Sequence, residues 1–338
     1  MINPVAFSIF GHDIRWYGII IAMALLLGIL LAMYLTKREG RDPDTVLDLA
    51  LVVVPLAVIC ARIYYVIFTW NEIYSKQEFW HVFAIWEGGL AIYGAVIGGA
   101  IGVWLYSRFS KNKIKFLPLL DILAPSLILG QAIGRWGNFV NQEAFGNLIT
   151  NPSWQWFPAA VYIEAPVIGN MIEPAGWYMA TFFYESVWNF LVFAFLLFYI
   201  TKAKQRKPGN VFWLYLLGYG IGRLVIEGLR TDSLMMGDIR VSQWLSGLFI
   251  VGAGVMLLLP YINKMLGRAK EREVEAEGKP LDDSLKLILD EDRDTLLTDE
   301  EAGDGAASTH TEDSAGGDAP PSNVEEKPAE AGNTEEGS

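Results

Sequence analysis

Seven stretches of this chain lose nearly all their polar positions for about twenty residues, the length a helix needs to cross a hydrocarbon core. They cover residues 16–35, 46–68, 88–106, 116–133, 180–201, 211–228 and 241–261. Backbone groups surrounded by lipid have no water to bond, so each must pair within its own segment, and these runs are expected to be helices. The predicted fold is an all-α integral membrane protein with seven transmembrane helices. The first run is expected to stay in place rather than be removed as a signal peptide: it is too long, no basic region precedes it, and Lys37, Arg38 and Arg41 follow it.

The charges between the runs predict an orientation. Fifteen basic residues fall on one side: Lys37, Arg38 and Arg41; Arg108, Lys111, Lys113 and Lys115; Lys202, Lys204, Arg206 and Lys207; Lys264, Arg268, Lys270 and Arg272. Arg15, Lys76, Arg135, Arg230 and Arg240 are the five on the other. The positive-inside rule therefore puts the N-terminus outside and the C-terminus in the cytoplasm. Residues 147–179, between the fourth and fifth runs, hold Trp154, Trp156, Trp177 and Tyr178 among four prolines. Amphipathic rings settle at the membrane interface, so this segment is expected to form a small extracytoplasmic cap. Phe7 to Trp16 is a second such segment. Gly94, Gly98 and Gly102, and also Gly218 and Gly222, recur at four-residue spacing, which lets helices approach closely in lipid. The two halves of the chain show no repeat, which weakens an inverted-repeat transporter reading.

Composition divides the chain once more. Over half of its 338 residues are hydrophobic, yet the net charge is −12. Residues 281–338 contain 18 acidic and 3 basic residues, leaving 23 bases and 20 acids in the first 280. A membrane domain over 1–270 and an acidic cytoplasmic tail over 273–338 are expected, the tail having too little apolar surface to fold. A single cysteine, Cys60, excludes an intrachain disulfide, and three scattered histidines offer no metal-ligand spacing, so neither metal nor cofactor is expected.

Charged residues inside membrane helices are costly and usually functional. With the predicted orientation, Arg135 and Glu143 emerge at the outer end of the fourth helix. Arg223 lies roughly 18 Å along the sixth, with Glu227 one turn further. Tyr17, Tyr93, Tyr184 and Glu185 reach the same level from the first, third and fifth helices. A self-neutralising Arg223–Glu227 pair accounts for two of these residues but not for Arg135. By residue type alone, a transporter or receptor for an anionic small molecule would use such arginines, whereas a structural scaffold needs none. Arg62 is at mid-helix and could approach the same layer; Asp121, near the other end of the fourth helix, reads as structural.

The run Gly134-Arg135-Trp136-Gly137-Asn138-Phe139-Val140-Asn141-Gln142-Glu143-Ala144-Phe145-Gly146 combines a guanidinium, amides and glycines, types suited to a bound phosphate or carboxylate and also to an ordinary glycine-rich loop. Its order, Gly-Arg-x-Gly-Asn-Phe-x-Asn-x-Glu-x-x-Gly, resembles the signature of the prolipoprotein diacylglyceryl transferases. Ile14-Arg15-Trp16-Tyr17-Gly18 and Gly220-Ile221-Gly222-Arg223-Leu224-Val225-Ile226-Glu227 resemble two further stretches of that family. The resemblance covers about residues 1–270.

It implies a cell-membrane enzyme that moves diacylglycerol from phosphatidylglycerol to the lipobox cysteine of a prolipoprotein signal peptide, with membrane lipid and no nucleic acid among its partners. It implies roles for Arg135, Glu143, Arg223, Glu227 and Tyr93 in catalysis, and for Arg135, Asn138, Tyr17, Gly146 and Asn141 in binding phosphatidylglycerol. Many members have histidine at the position of Tyr93. Tyrosine ordinarily titrates about three units above histidine and is a poorer base at neutral pH. Glu143 or Glu227 could instead take the thiol proton, and the sequence does not choose between them.

Overall fold

The computed structural model describes residues 3–276, apart from residues 10, 111–113, 165–166, 169–170, 173, 204–205, 232–234 and 237–238. The acidic tail expected over 273–338 lies almost wholly outside the described residues. Seven α-helices are present among them: α1 Trp16–Arg38, α2 Asp44–Thr69, α3 Ile92–Phe109, α4 Phe116–Asn141, α5 Thr181–Lys202, α6 Asn210–Glu227 and α7 Val241–Ala276. Each coincides with one of the seven apolar runs. Six are long and apolar enough to cross a membrane. The exception is α6, whose 18 residues include Arg223, Glu227 and three glycines.

Small antiparallel hairpins interrupt the helical pattern. β1 (Val5–Ile9) pairs with β2 (His12–Arg15) ahead of α1. Between α4 and α5, β3 (Ala160–Ile163) pairs with β6 (Gly176–Met179), and β4 (Val167–Ile168) pairs with β5 (Met171–Ile172). β7 (Met235–Met236) and β8 (Ile239–Arg240) join α6 to α7. These corrections to an all-α reading fall where the chain leaves the apolar runs, and the strands are short, at two to five residues.

Helix α4 is the centre of the bundle, packed against α1, α5 and α6, while α2 and α3 form a second pair. The main core joins Ala32, Leu35, Ile122, Ile128, Leu196, Val211 and Tyr215 from four helices. The outward faces are apolar instead of polar: Leu51, Phe68, Ile92 and Leu248 are all exposed. An apolar exterior over so many helices suits a lipid environment and would be a liability in water.

Two polar anchors hold this frame. Asp121 is 3% exposed on α4 and accepts from the backbone N–H of Gly209 at 2.6 Å and of Phe212 at 2.9 Å. It caps the N-terminus of α6 from a neighbouring helix, supplying the acceptor that the first-turn amides lack. Arg62, which the sequence allowed near the outer polar layer, is instead consumed by the α2–α3 connection. It donates to the carbonyls of His81, Val82, Gly88 and Gly89. The third run accordingly starts as a helix at Ile92, since Gly88 and Gly89 take positive φ and present their carbonyls to Arg62.

The α2–α3 contact depends on backbone proximity. A Cβ on Gly94 would strike the Cys60 carbonyl oxygen and come within 2.8 Å of the Ala61 Cα. One on Gly99 would meet nothing within 4 Å. Gly94→Ala should therefore destabilise by about 1–3 kcal/mol, the usual cost of overpacking, and Gly99→Ala should not. Melting temperatures in detergent compare the two; equal values would show that α3 does not depend on this approach.

Candidate active site

The signature run is helical for most of its length. α4 continues through Asn141, so Arg135 to Asn141 occupy its last two turns rather than a glycine-rich loop. The helix then stops at Gln142, which takes a left-handed conformation (φ 54°), and Ala144 does the same (φ 59°). The N–H of Glu143 bonds the Asn138 carbonyl at 3.0 Å. This reversal turns the Glu143 side chain back over the end of its own helix.

Three helices then contribute to one polar network. Glu185, on the first turn of α5 but one, is 2% exposed. Its Oε1 is 2.8 Å from Arg135 Nη2 on α4, and its Oε2 is 3.1 Å from Arg223 Nη1 on α6. Arg223 Nη2 extends the chain to Glu227 Oε2 at 2.7 Å, one turn along α6. That approach is an ion pair by distance but misses hydrogen-bond geometry. Arg230 Nη1 stands 3.8 Å from the same oxygen. On the other side, Arg135 Nη1 reaches Asn138 Oδ1 at 3.3 Å, and Asn138 Nδ2 donates to Glu143 Oε1 at 2.8 Å. Asn141 Nδ2 adds a longer bond to that oxygen at 3.3 Å.

Of the residues singled out in the sequence, Arg135, Asn138, Asn141, Glu143, Arg223 and Glu227 thus belong to one connected network. Tyr17 adjoins it through packing: a Cβ on Gly137 would meet its ring at 2.6 Å, so this glycine lets α1 bring the tyrosine against the signature helix. Gly146 sits where there is no room for a side chain, with the Leu229 carbonyl oxygen and the Met179 Cβ each 2.8 Å from a hypothetical Cβ. Its N–H bonds the Met179 carbonyl and it bridges to Arg230, tying the end of the signature to the segment after α6. Tyr93 stands apart. Its ring is 6.2 Å from that of Tyr64 on α2, and among the described residues no hydrogen bond or ion pair joins it to the network.

Glu185 is the residue whose role the sequence did not disclose. Its level in the fifth helix placed it near the arginines, but no motif marked it. Further contacts brace the same level: Trp136 Nε1 donates to Ser186 Oγ at 3.2 Å, and Ser186 Oγ donates to the Ala132 carbonyl at 2.8 Å. Beside the network lies a cavity of about 360 Å³, lined in part by Asn138, Phe139, Glu143, Phe157, Tyr162 and Phe182. Glu143 is thus the carboxylate that faces open space, whereas Glu185 and Glu227 are buried against guanidiniums. Among the described residues no group of three or more His, Cys, Asp or Glu could hold a metal ion.

Known proteins share this arrangement of sequence. A family model described as prolipoprotein diacylglyceryl transferase matches residues 4–259. Three relatives each bear the name phosphatidylglycerol–prolipoprotein diacylglyceryl transferase. That of Pediococcus pentosaceus is 44% identical, over 75% of this chain and 88% of its own. That of Clostridium novyi is 45% identical, over 76% and 95%. That of Streptococcus pneumoniae is 43% identical, over 77% and 94%.

The two arginines should differ in their effect on stability. Arg223 serves two buried carboxylates, and among the described residues its loss leaves Glu227 with Arg230 at 3.8 Å. Breaking a buried pair costs about 3–5 kcal/mol. Arg223→Ala should therefore lower yield in detergent and melting temperature. Arg135→Ala leaves Glu185 still paired with Arg223 and should fold. If Arg135→Ala is the variant that unfolds, the structural weight rests on α4 instead.

Proposed function

The chain belongs to the prolipoprotein diacylglyceryl transferase family, and from this premise we propose that it transfers the diacylglyceryl group of phosphatidylglycerol to the lipobox cysteine of prolipoproteins. A transporter or receptor for an anionic small molecule is not favoured, because the relatives are named as transferases. The observation that carries the mechanism is the convergence of Arg135 and Arg223 on the single buried carboxylate of Glu185.

Each guanidinium has five N–H donors in a planar fork, and the carboxylates and Asn138 engage only part of them. Glu185 holds the two forks together, and the remaining donors suit the two non-bridging oxygens of a phosphodiester. In the reaction the cysteine sulfur attacks the glycerol carbon that carries the phosphate. The C–S bond forms, that C–O bond breaks, and glycerol phosphate leaves with the bond's electron pair. Charge grows on the departing phosphate, where Arg135 and Arg223 stabilise it more than they stabilise the bound lipid.

The thiol must lose its proton to become a competent nucleophile. Glu143 is the best-placed acceptor, since Glu185 and Glu227 are already held by guanidiniums while Glu143, among the described residues, accepts from the amides of Asn138 and Asn141. These amides orient it. Tyr17 and the cavity beside Glu143 contribute lipid and peptide contacts, and Gly146 keeps the signature folded against α6. Tyr93 acts at a distance from the chemistry, in line with its lack of a bond to the network.

The same reading places a seven-span domain over 1–270 in the cell membrane. Its N-terminus and the cap over 147–179 lie outside, and the acidic tail over 273–338 is in the cytoplasm. α6 counts as a span because its Arg223 and Glu227 are neutralised within the bundle. This reading invokes no cofactor or metal.

Two measurements test this. Purified protein with phosphatidylglycerol vesicles and a lipobox peptide should yield a thioether-linked diacylglycerol, read by mass spectrometry. Arg135→Lys keeps the charge but loses the fork, and should reduce transfer by about 10²-fold or more, as loss of an oxyanion-stabilising donor does. Transfer near the wild-type rate in Arg135→Lys would remove bidentate phosphate binding from the mechanism. For the orientation, a cysteine in place of Ser153 should react with an impermeant maleimide in intact cells, and one in place of Lys207 should not. The reverse pattern overturns the charge argument.

A further inference from the structure

The helices that carry the arginine–carboxylate network converge again at their opposite ends, about 21 Å away if counted along α4 from Arg135 to Asp121. There they enclose a cavity of about 470 Å³, larger than the one beside Glu143. Its charged wall consists of Arg38, Glu39, Arg41, Asp121 and Arg206, from the end of α1, the turn after it, α4 and the turn before α6. Both Asp121 oxygens are taken by the amides of Gly209 and Phe212. Glu39 is bound by Arg206 through a close ion pair.

The bland reading is that these arginines cap the C-terminus of α5. It explains two of the three. Arg38 Nη2 donates to the Thr201 carbonyl at 2.8 Å, and Arg206 Nη1 donates to the Ile200 carbonyl at 3.2 Å. It does not explain Arg41. Its Nε makes a long ion pair with Glu39 Oε2 at 3.8 Å, beyond hydrogen-bond range, and its Nη1 is buried with no hydrogen-bond partner among the described residues. A guanidinium nitrogen hidden without an acceptor is costly. Arg41, its side chain 36% exposed, is thus held by a long ion pair to Glu39 and keeps one buried guanidinium nitrogen without an acceptor among the described residues.

We propose that this cavity is a second anion site, which takes a phosphate group through Arg41 with Arg38 and Arg206 at its sides. A cavity of this size accommodates a phosphate with a small alcohol attached. Its place at the basic ends of several helices, beside Lys37, Lys202 and Lys207, matches basic interhelical pockets that hold acidic lipid headgroups. The phosphate can be that of a lipid in the adjacent leaflet or of a small soluble molecule; the chemistry of recognition is the same.

The full chain in phosphatidylcholine nanodiscs distinguishes these sources. Melting temperature is measured at constant ionic strength with either inorganic phosphate in solution or phosphatidic acid in the bilayer, against a chloride control. Native mass spectrometry counts retained phosphatidic acid. Stabilisation by phosphatidic acid alone identifies a lipid site; stabilisation by inorganic phosphate identifies a soluble ligand. In either case Arg41→Gln should weaken binding by at least about tenfold, the worth of one charge-assisted bond. Arg135→Lys, at the other end of the bundle, should leave it unchanged. The proposal fails if neither probe stabilises the wild-type chain, if Arg41→Gln binds as well as wild type, or if Arg135→Lys abolishes the effect. Should Arg41→Gln not fold, Arg41→Lys takes its place, with weakened binding expected and wild-type affinity counting against the site. The wild-type measurement stands independently of both.

Discussion

A carboxylate buried between helices must be neutralised where it lies, and Glu185 is neutralised twice. Arg135 from α4 and Arg223 from α6 both reach it, so one side chain of α5 fixes the relative rotation of three helices. Removing either positive partner changes the charge balance around a carboxylate that is 2% exposed. This mutual dependence makes the network a rigid unit. It also places two planar donors side by side, which is the geometry a phosphodiester needs.

The rest of the bundle serves to hold that unit at its level. Asp121 caps α6 from within α4 and so sets how far α6 rises toward Glu185. Arg62 gathers four carbonyls and closes the α2–α3 connection, which frees α3 to pack by its glycines. The left-handed residues Gln142 and Ala144 end α4 about two turns past Arg135 and return Glu143 toward the helix. Each device uses a polar group in a place where an unpaired one would be costly.

The two ends of the bundle differ in how fully their charges are committed. At one end Arg135 and Arg223 are bound to carboxylates, and Glu143 is the carboxylate of that network that faces open space. At the other, Arg38 and Arg206 donate to carbonyls, while Arg41 has a long ion pair to Glu39 and a buried Nη1 without a hydrogen-bond partner among the described residues. A protein that handles anionic lipid thus carries arginines at both ends of the same helices, but pairs them differently. Substrate chemistry requires donors held rigidly in advance; recognition of a stabilising ligand requires only a donor left without an acceptor.

Much of this was legible in the chain itself. The seven apolar runs fall on the seven helices, because in a membrane segment length and hydropathy alone decide where a helix can exist. Six of the nine residues marked for function lie in one network, since charge inside an apolar run is too costly to be incidental. Three things depended on the tertiary structure. The signature proved to be helix, because its amides satisfy Glu143 across the helix end. Arg62 turned away to backbone carbonyls that sequence distance hides. Glu185 became the centre of the network only when α4 and α6 closed on either side of it. A residue's level along its own helix can be counted from the sequence; the direction it faces and the partners it meets are set by how neighbouring helices rotate and pack, which no single segment encodes.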